Sequence, residues 1–317
     1  MRQGRRARGG RQEFVSPMPM LPPWMRALAY LTVVAVLVIA LMAAFAILHL
    51  RPGPGMPALA LAFVSEILLC IIVVAVALLA RRFVDRRDCG SLGFSFRTAW
   101  LRLLGFGMLF GAGMQCFVLG LDAALGFSHL AGHADTAGAA RTIMLALPLF
   151  IVAALAEEMS IRGYVFQNLW EQWGFLPAML ATATLFAALH LSNPNARAQL
   201  GLTLLGLAAY AIWACWSIVW TKSLWLALGC HFTWNLFEGP VLGFPVSGID
   251  MPAPTALTQK LSGPAWFTGG AFGPEAGLSS ILALCAGFAV LRVLYRRGTF
   301  ARLVDTRGEY ARDALTG

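Results

Sequence analysis

Long apolar segments, separated by short polar or Pro/Gly-rich breaks, follow one another along most of the chain. Most of them are close to the length of about 20 residues with which a helix crosses a bilayer. The pattern therefore predicts an all-α, polytopic membrane bundle of about eight transmembrane helices. The predicted spans cover residues 25–50, 58–80, 103–127, 141–173, 176–191, 200–220, 224–242 and 278–294.

The breaks divide the chain into one membrane region and two tails. Residues 1–23 are rich in Arg, Gly and Pro and end at Pro22-Pro23, which predicts a basic tail. Residues 24–297 form a single bundle because no long polar interval interrupts them, and residues 298–317 form a second polar tail. The segments 128–138 and 243–277 are predicted to be loops, since small, polar, Pro and Gly residues are frequent in them.

The composition agrees with a membrane protein. Of the 317 residues 59% are hydrophobic and 12% are charged, and the mean hydropathy is +0.71. A soluble globular protein carries about 25% charged residues, so the composition argues against a soluble enzyme or binding module. The six cysteines are scattered without a CxxC pair, which indicates neither a disulfide framework nor a cysteine zinc site.

The net charge of +9 comes from basic residues that cluster where apolar segments end. Such residues mark the cytoplasmic side of a membrane protein, and with eight spans 20 of the 24 Lys and Arg would lie on one side. This asymmetry predicts that both termini are cytoplasmic and that the arginines of the first tail contact anionic lipid. No nucleic-acid partner is expected, because the basic residues form no stripe with interleaved aromatics.

Two adjacent carboxylates, Glu157 and Glu158, and the nearby Arg162 lie in the fourth predicted span. A carboxylate at bilayer depth costs about 2.5–3.5 kcal/mol by insertion scales and is retained mainly where it faces the protein interior. On an α-helix the i, i+4 spacing puts Glu158 and Arg162 on one face, where they can form a buried ion pair. Glu157 is rotated by about 100° from Glu158 and is free for another task.

Two further spans each carry a histidine in an i, i+4 pair, Phe186 with His190 on the fifth and His231 with Asn235 on the seventh. A carboxylate and two imidazoles in an apolar cavity suit amide hydrolysis, which needs a base for water and donors for the oxyanion. We assign the base to Glu157, assisted by His190. The oxyanion donors are then His231 and Asn235, and Phe186 is interpreted as a packing residue.

A second assignment puts a divalent metal ion, with zinc as the candidate, between Glu157, His190 and His231, with Asn235 as a further ligand. The chain has no HExxH motif, and Asn is a poor zinc ligand but a good oxyanion donor. The sequence therefore favours a mechanism without a cofactor and leaves zinc open as the alternative.

The three motifs, in this order on separate spans, resemble those of the CPBP intramembrane proteases. That family includes CAAX prenyl endopeptidases and the bacteriocin-processing or immunity (Abi) proteins. Its patterns EExxxR, FxxxH and HxxxN or HxxxD correspond to residues 157–162, 186–190 and 231–235. The resemblance covers about residues 147–243, within a protease-like core that we place at 141–243.

The resemblance implies an eight-helix fold, a site that opens within the membrane and hydrolysis of a membrane-associated or lipidated peptide by glutamate-activated water. It also implies that four residues are catalytic: Glu157, His190, His231 and Asn235. Two others are then structural: Glu158 and Arg162. Prenylated CAAX substrates belong to eukaryotes, whereas this arginine-rich, compact chain is typical of bacteria. We therefore expect a bacterial inner membrane and do not transfer the prenylated substrate.

Two other classes of function fit individual features of the sequence. Intramembrane Glu and His can form the proton relay of a transporter, but the two halves of the chain show no inverted repeat. The resembling family also includes immunity or scaffold proteins with no proven cleavage. Three acidic residues within the spans receive no assigned role, and Glu238 lies one turn beyond the third motif: Glu66, Asp122 and Glu238.

Overall fold

The computed structural model describes residues 21–49, 56–96, 99–251 and 253–304. Within these residues seven helices are long and apolar enough to cross a membrane, which confirms the all-α polytopic bundle. They are Pro23–Ile47, Ala60–Val84, Trp100–Ala124, Thr136–Trp173, Phe175–Ser192, Leu200–Thr221 and Leu278–Arg296. Most of the first predicted tail and the last 13 residues of the second lie outside the described residues.

The helices that follow one another along the chain are named here by their bounds. They are α1 Pro23–Ile47, α2 Met56–Leu79, α3 Trp100–Ala124, α4 Thr136–Glu157, α5 Phe166–Trp173, α6 Phe175–Leu189, α7 Leu200–Thr221, α8 Trp225–Leu236, α9 Ala265–Thr268, α10 Leu278–Arg296 and α11 Thr299–Val304. Short π-helical segments continue three of them without a break: Ala80–Val84 after α2, Glu158–Val165 between α4 and α5, and Phe237–Val241 after α8.

The predicted seventh span differs from the others in length and surroundings. It consists of α8 and its π-helical extension, 225–241, which together rise about 25 Å and fall short of a hydrocarbon core about 30 Å thick. Within α8 only Trp225 and Asn235 are not buried. The helix is therefore an inner element enclosed by its neighbours, and within the described residues the number of helices long enough to span the membrane is seven, where the sequence predicted about eight.

The helix that carries the first motif is continuous from Thr136 to Trp173 but changes its winding inside the motif. It is α-helical up to Glu157 and π-helical from Glu158 to Val165. The prediction of a plain α-helix was wrong at this point. Single π-helical turns inside α-helices occur often at functional sites, because they change the direction in which neighbouring side chains project.

The two predicted loops are joined by a small sheet that the sequence did not predict. Strand β1 (Ser128–His133) pairs antiparallel with β2 (Leu257–Leu261), with Ser128 opposite Leu261 and His133 opposite Leu257. The sheet ties the segment before α4 to the segment after α8. The segment after α8 is thus held against the rest of the protein rather than hanging free.

Helices α3 and α8 approach closely because glycines face the partner backbone. A Cβ atom on Gly107 or Gly111 would overlap α8 backbone atoms, and one on Gly229 would overlap the backbone of α3. The absence of side chains at these positions lets the two helices pack almost backbone to backbone. This contact determines where α8, and with it His231, lies in the bundle.

Candidate active site

One cavity inside the bundle collects residues from all three motifs. Its walls come from α4, α6, α7, α8, α10 and the segment between α8 and α10. The lining residues are Glu157, Phe186, His190, Gly206, Leu207, Tyr210, His231, Trp234, Asn235, Ser247, Glu275, Ser280 and Leu284. All four residues that the sequence assigned to catalysis therefore face the same space.

Glu157 is the last residue of α4 before the π-helical turn, and its carboxylate faces both histidines. Its Oε2 lies 4.0 Å from His190 Nε2 and 3.7 Å from His231 Nε2. This oxygen is buried and makes no hydrogen bond to another described residue. Both separations are too long for a direct hydrogen bond and suit one that passes through water.

His190, at the end of α6, is oriented by the backbone of its own helix. Its Nδ1 lies 2.9 Å from the Phe186 carbonyl oxygen. Because a carbonyl can only accept, Nδ1 must carry the proton and donate. The neutral ring then presents an unprotonated Nε2 to Glu157, which is the tautomer that can accept a proton from water.

His231 contacts both carboxylates of the first motif. Its Nδ1 donates to Glu158 Oε1 at 2.9 Å, while Nε2 faces Glu157. Glu158 Oε1 also accepts from the Tyr210 hydroxyl at 3.2 Å. Glu158 is fully buried, and its contact with His231 joins residues that are 73 positions apart in the sequence.

The predicted ion pair between Glu158 and Arg162 is present, with 3.3 Å between Nη1 and Oε1 and no solvent exposure on either side chain. The guanidinium also lies 4.2 Å from the centre of the Phe186 ring and 5.4 Å from that of Tyr210. Phe186 thus covers a buried cation in addition to packing. An arginine in this position supports Glu158 as an ionised carboxylate, since each charge offsets the other between two fully buried side chains.

Two titratable residues that line the cavity were missed by the sequence analysis. Tyr210 comes from the middle of α7 and hydrogen-bonds Glu158, and Glu275 comes from the predicted loop after α8. Neither belongs to a motif with i, i+4 spacing. A single acidic residue in a Pro/Gly-rich segment gave no local signal that it would fold into the site.

The three acidic residues without an assigned role lie in different surroundings. Glu66 on α2 is within electrostatic range of Glu157. Asp122 is buried beside Ser279 and does not line the cavity. Glu238 is fully buried behind the cavity wall, within electrostatic range of Glu275.

Among the described residues, no three or more His, Cys, Asp or Glu side chains are arranged so that they could hold a metal ion. In the set considered above as zinc ligands, Glu157 Oε2 lies 4.0 Å from His190 Nε2 and 3.7 Å from His231 Nε2.

A bundle of membrane-length helices around a cavity lined by carboxylates and imidazoles defines the class of protein, a multi-pass membrane protein with ionisable side chains in an internal cavity. Residues 139–237 match the family model described as type II CAAX prenyl endopeptidase Rce1-like. The match spans all three motifs and confirms the resemblance inferred from them. The matched segment is 99 of the 317 residues, and over this segment the chain is similar to the CAAX-type intramembrane proteases. No curated protein and no solved structure matches the chain.

Proposed function

We propose that this protein is an intramembrane endopeptidase in which Glu157, together with His190, activates water for attack on a peptide bond. The observation that carries the proposal is the position of Glu157 Oε2, which faces the Nε2 atoms of two histidines at 4.0 and 3.7 Å. A water between Glu157 Oε2 and His190 Nε2 would have an acceptor on either side. The carboxylate would take its proton as the oxygen attacks the carbonyl carbon.

The oxyanion that forms in this step needs hydrogen-bond donors on the opposite side of the carbonyl. His231 can supply one, because the ionised Glu158 at its Nδ1 favours the imidazolium, whose Nε2–H points into the cavity. Asn235 lines the same wall one turn further along α8. Glu158 and Arg162 then act behind the cavity, and this proposal extends the structural role expected for them to the orientation of His231.

The substrate that fits this site is a peptide bond of a membrane-associated or lipidated chain. The site lies inside a bundle whose outer helices expose apolar side chains such as Val36, Ile39 and Ile71. A substrate that already resides in or on the bilayer can reach such a cavity without crossing a polar surface. We further propose a bacterial inner membrane, cytoplasmic termini and contact of the basic tail with anionic lipid, on the charge pattern described above.

The test is cleavage of a peptide library by purified protein in detergent. We expect wild-type protein to cleave and Glu157→Gln to lose about 100-fold or more of the activity while its melting temperature stays close to wild type. The matched control is Asp250→Asn, which neutralises an exposed carboxylate that does not line the cavity. Full activity of Glu157→Gln would refute the assignment.

The same preparation separates the metal-free mechanism from a zinc-dependent one. We expect cleavage to continue in the presence of a chelator, in protein that metal analysis finds free of zinc. Loss of cleavage with the chelator and recovery on addition of zinc would overturn the metal-free mechanism and leave the peptidase assignment standing.

A further inference from the structure

The cavity contains a second carboxyl group that none of the three motifs supplies. Glu275 lies in the short 3₁₀ helix Pro274–Ala276, directly before α10. It lines the cavity together with Glu157, His190, His231 and Asn235. The segment that carries it therefore forms part of the cavity wall.

Two contacts fix the position of Glu275. The hydroxyl of Ser247 donates to its Oε2 at 2.5 Å, and Ser247 is itself held through its carbonyl oxygen, which accepts from Asn193 Nδ2 at 3.0 Å. On the backbone side, Gly206 of α7 leaves room for the Glu275 carbonyl oxygen, which a Cβ atom at that position would overlap. The carboxyl group is thus aimed into the site by a built support.

The burial of Glu275 favours its protonated form. Burial raises the pKa of the Glu275 carboxyl, and the Glu157 carboxylate adds to the effect, whereas Ser247 and the two histidines work against it. Glu238, buried on the far side, is a further carboxyl group within electrostatic range. Each of these neighbouring carboxyl groups disfavours the ionised form of Glu275 or Glu238.

We propose that Glu275 is the general acid of this site and protonates the leaving amine, while Glu157 acts as the base toward water. This proposal rests on the proposed endopeptidase function. In the first step the water O–C bond forms and one water proton passes to Glu157. In the second step the C–N bond breaks, and the proton of the Glu275 carboxyl goes to the nitrogen as it takes the bonding electron pair. Transfer of the proton from Glu157 to Glu275, by way of the histidines or water, restores the starting state.

Departure of the amine needs a general acid for a chemical reason. An amine is expelled from a tetrahedral intermediate only when its nitrogen is protonated, because the unprotonated amide anion is far too basic to leave. An alkoxide leaves much more readily, so an ester depends less on a general acid. A substitution that lowers the hydrolysis rate of an amide more than that of the ester of the same sequence therefore identifies the general acid. A substitution of the base or of an oxyanion donor should lower both rates.

The experiment compares a fluorogenic peptide that wild-type protein cleaves with its counterpart in which an ester replaces the scissile amide. We expect Glu275→Gln to lower kcat on the amide by about 100-fold or more and to leave ester hydrolysis close to wild type. Glu157→Gln should lower both. With the amide substrate, wild-type activity should fall as the pH rises through the raised pKa of Glu275. This decrease with pH should be absent in Glu275→Gln.

The outcomes are distinguishable. If wild-type protein cleaves neither substrate, the endopeptidase function fails. If it cleaves both, and Glu275→Gln reduces both rates equally or neither, Glu275 is not the general acid. Should Glu275→Gln fail to fold, Ser247→Ala keeps the carboxyl group but removes its support. Ser247→Ala is then expected to lower the rate of amide hydrolysis several-fold more than the rate of ester hydrolysis. An equal decrease in the two rates would overturn the proposal.

Discussion

Replacement of Glu158 by Gln tests whether this residue acts on the reaction through His231 or only stabilises Arg162. The substitution keeps the shape of the side chain and removes its charge. In the wild-type structure Glu158 Oε1 accepts from His231 Nδ1 at 2.9 Å and lies 3.3 Å from Arg162 Nη1. If the carboxylate holds His231 as an oxyanion donor, Glu158→Gln must lower the rate even in protein that is fully folded.

The magnitude follows from the type of contact that is lost. A hydrogen bond between a charged pair contributes about 1.5–3 kcal/mol, and a loss of this size in the transition state lowers kcat about 10- to 150-fold. The same substitution leaves Arg162 buried without its counter-ion. Breaking a buried pair in this way costs about 3–5 kcal/mol of stability, which contact with the rings of Phe186 and Tyr210 offsets in part.

A double substitution separates the two effects. Glu158→Gln combined with Arg162→Met removes both charges, so that the stranded cation is gone and the melting temperature should return toward that of wild type. His231 still lacks its carboxylate partner, and we therefore expect kcat to remain at least about tenfold below wild type. The assay is steady-state cleavage in detergent, with thermal unfolding measured on the same samples and Asp250→Asn as the control.

Recovery of wild-type kcat in the double variant would refute the reasoning. Glu158 would then act only as the partner of Arg162, and its hydrogen bond to His231 would not contribute to kcat. A low kcat in a double variant with restored stability would instead assign Glu158 to the orientation and charge of His231.

Two further predictions concern α8. Asn235→Ala should lower kcat about 100- to 1,000-fold with little change in KM, since an oxyanion donor acts mainly in the transition state; an effect on KM alone would contradict that role. Gly111→Ala should destabilise the protein by about 1–3 kcal/mol and reduce cleavage, because the added Cβ would overlap the Cys230 carbonyl oxygen and push α8 away. Gly113→Ala on the same helix α3 has nothing within 4 Å and should be neutral or slightly stabilising. Equal melting temperatures for these two variants would refute the packing argument.

Features that depend on nearby residues could be predicted from the sequence. The length of an apolar segment determines whether a helix can cross the bilayer, so the positions of seven long helices followed from the pattern. The contact of Glu158 with Arg162 also followed, because four residues bring two side chains together on one helix face whatever the rest of the fold does. The order of the three motifs was enough to indicate the protease family, which the family model then matched over residues 139–237.

Features that depend on distant partners could not be predicted in this way. Strand β1 pairs with a segment more than 120 residues later, and its sequence, Ser-His-Leu-Ala-Gly-His, carries little of the β-branched and aromatic composition that marks a strand. The enclosed position of α8 follows from glycine contacts between α3 and α8. The apolar segment 224–242 by itself has the pattern of one more membrane span.

The sequence by itself determined the bundle of membrane helices. It also identified, as candidate catalytic residues, four side chains that line one cavity. Only the tertiary structure decided that Glu158 also contacts His231, that Tyr210 joins them, and that Glu275 reaches the same cavity from a loop. The physical reason is the range of the interactions. Helical periodicity relates side chains a few residues apart, whereas the choice of which helix faces meet is made by packing between segments that are distant along the chain.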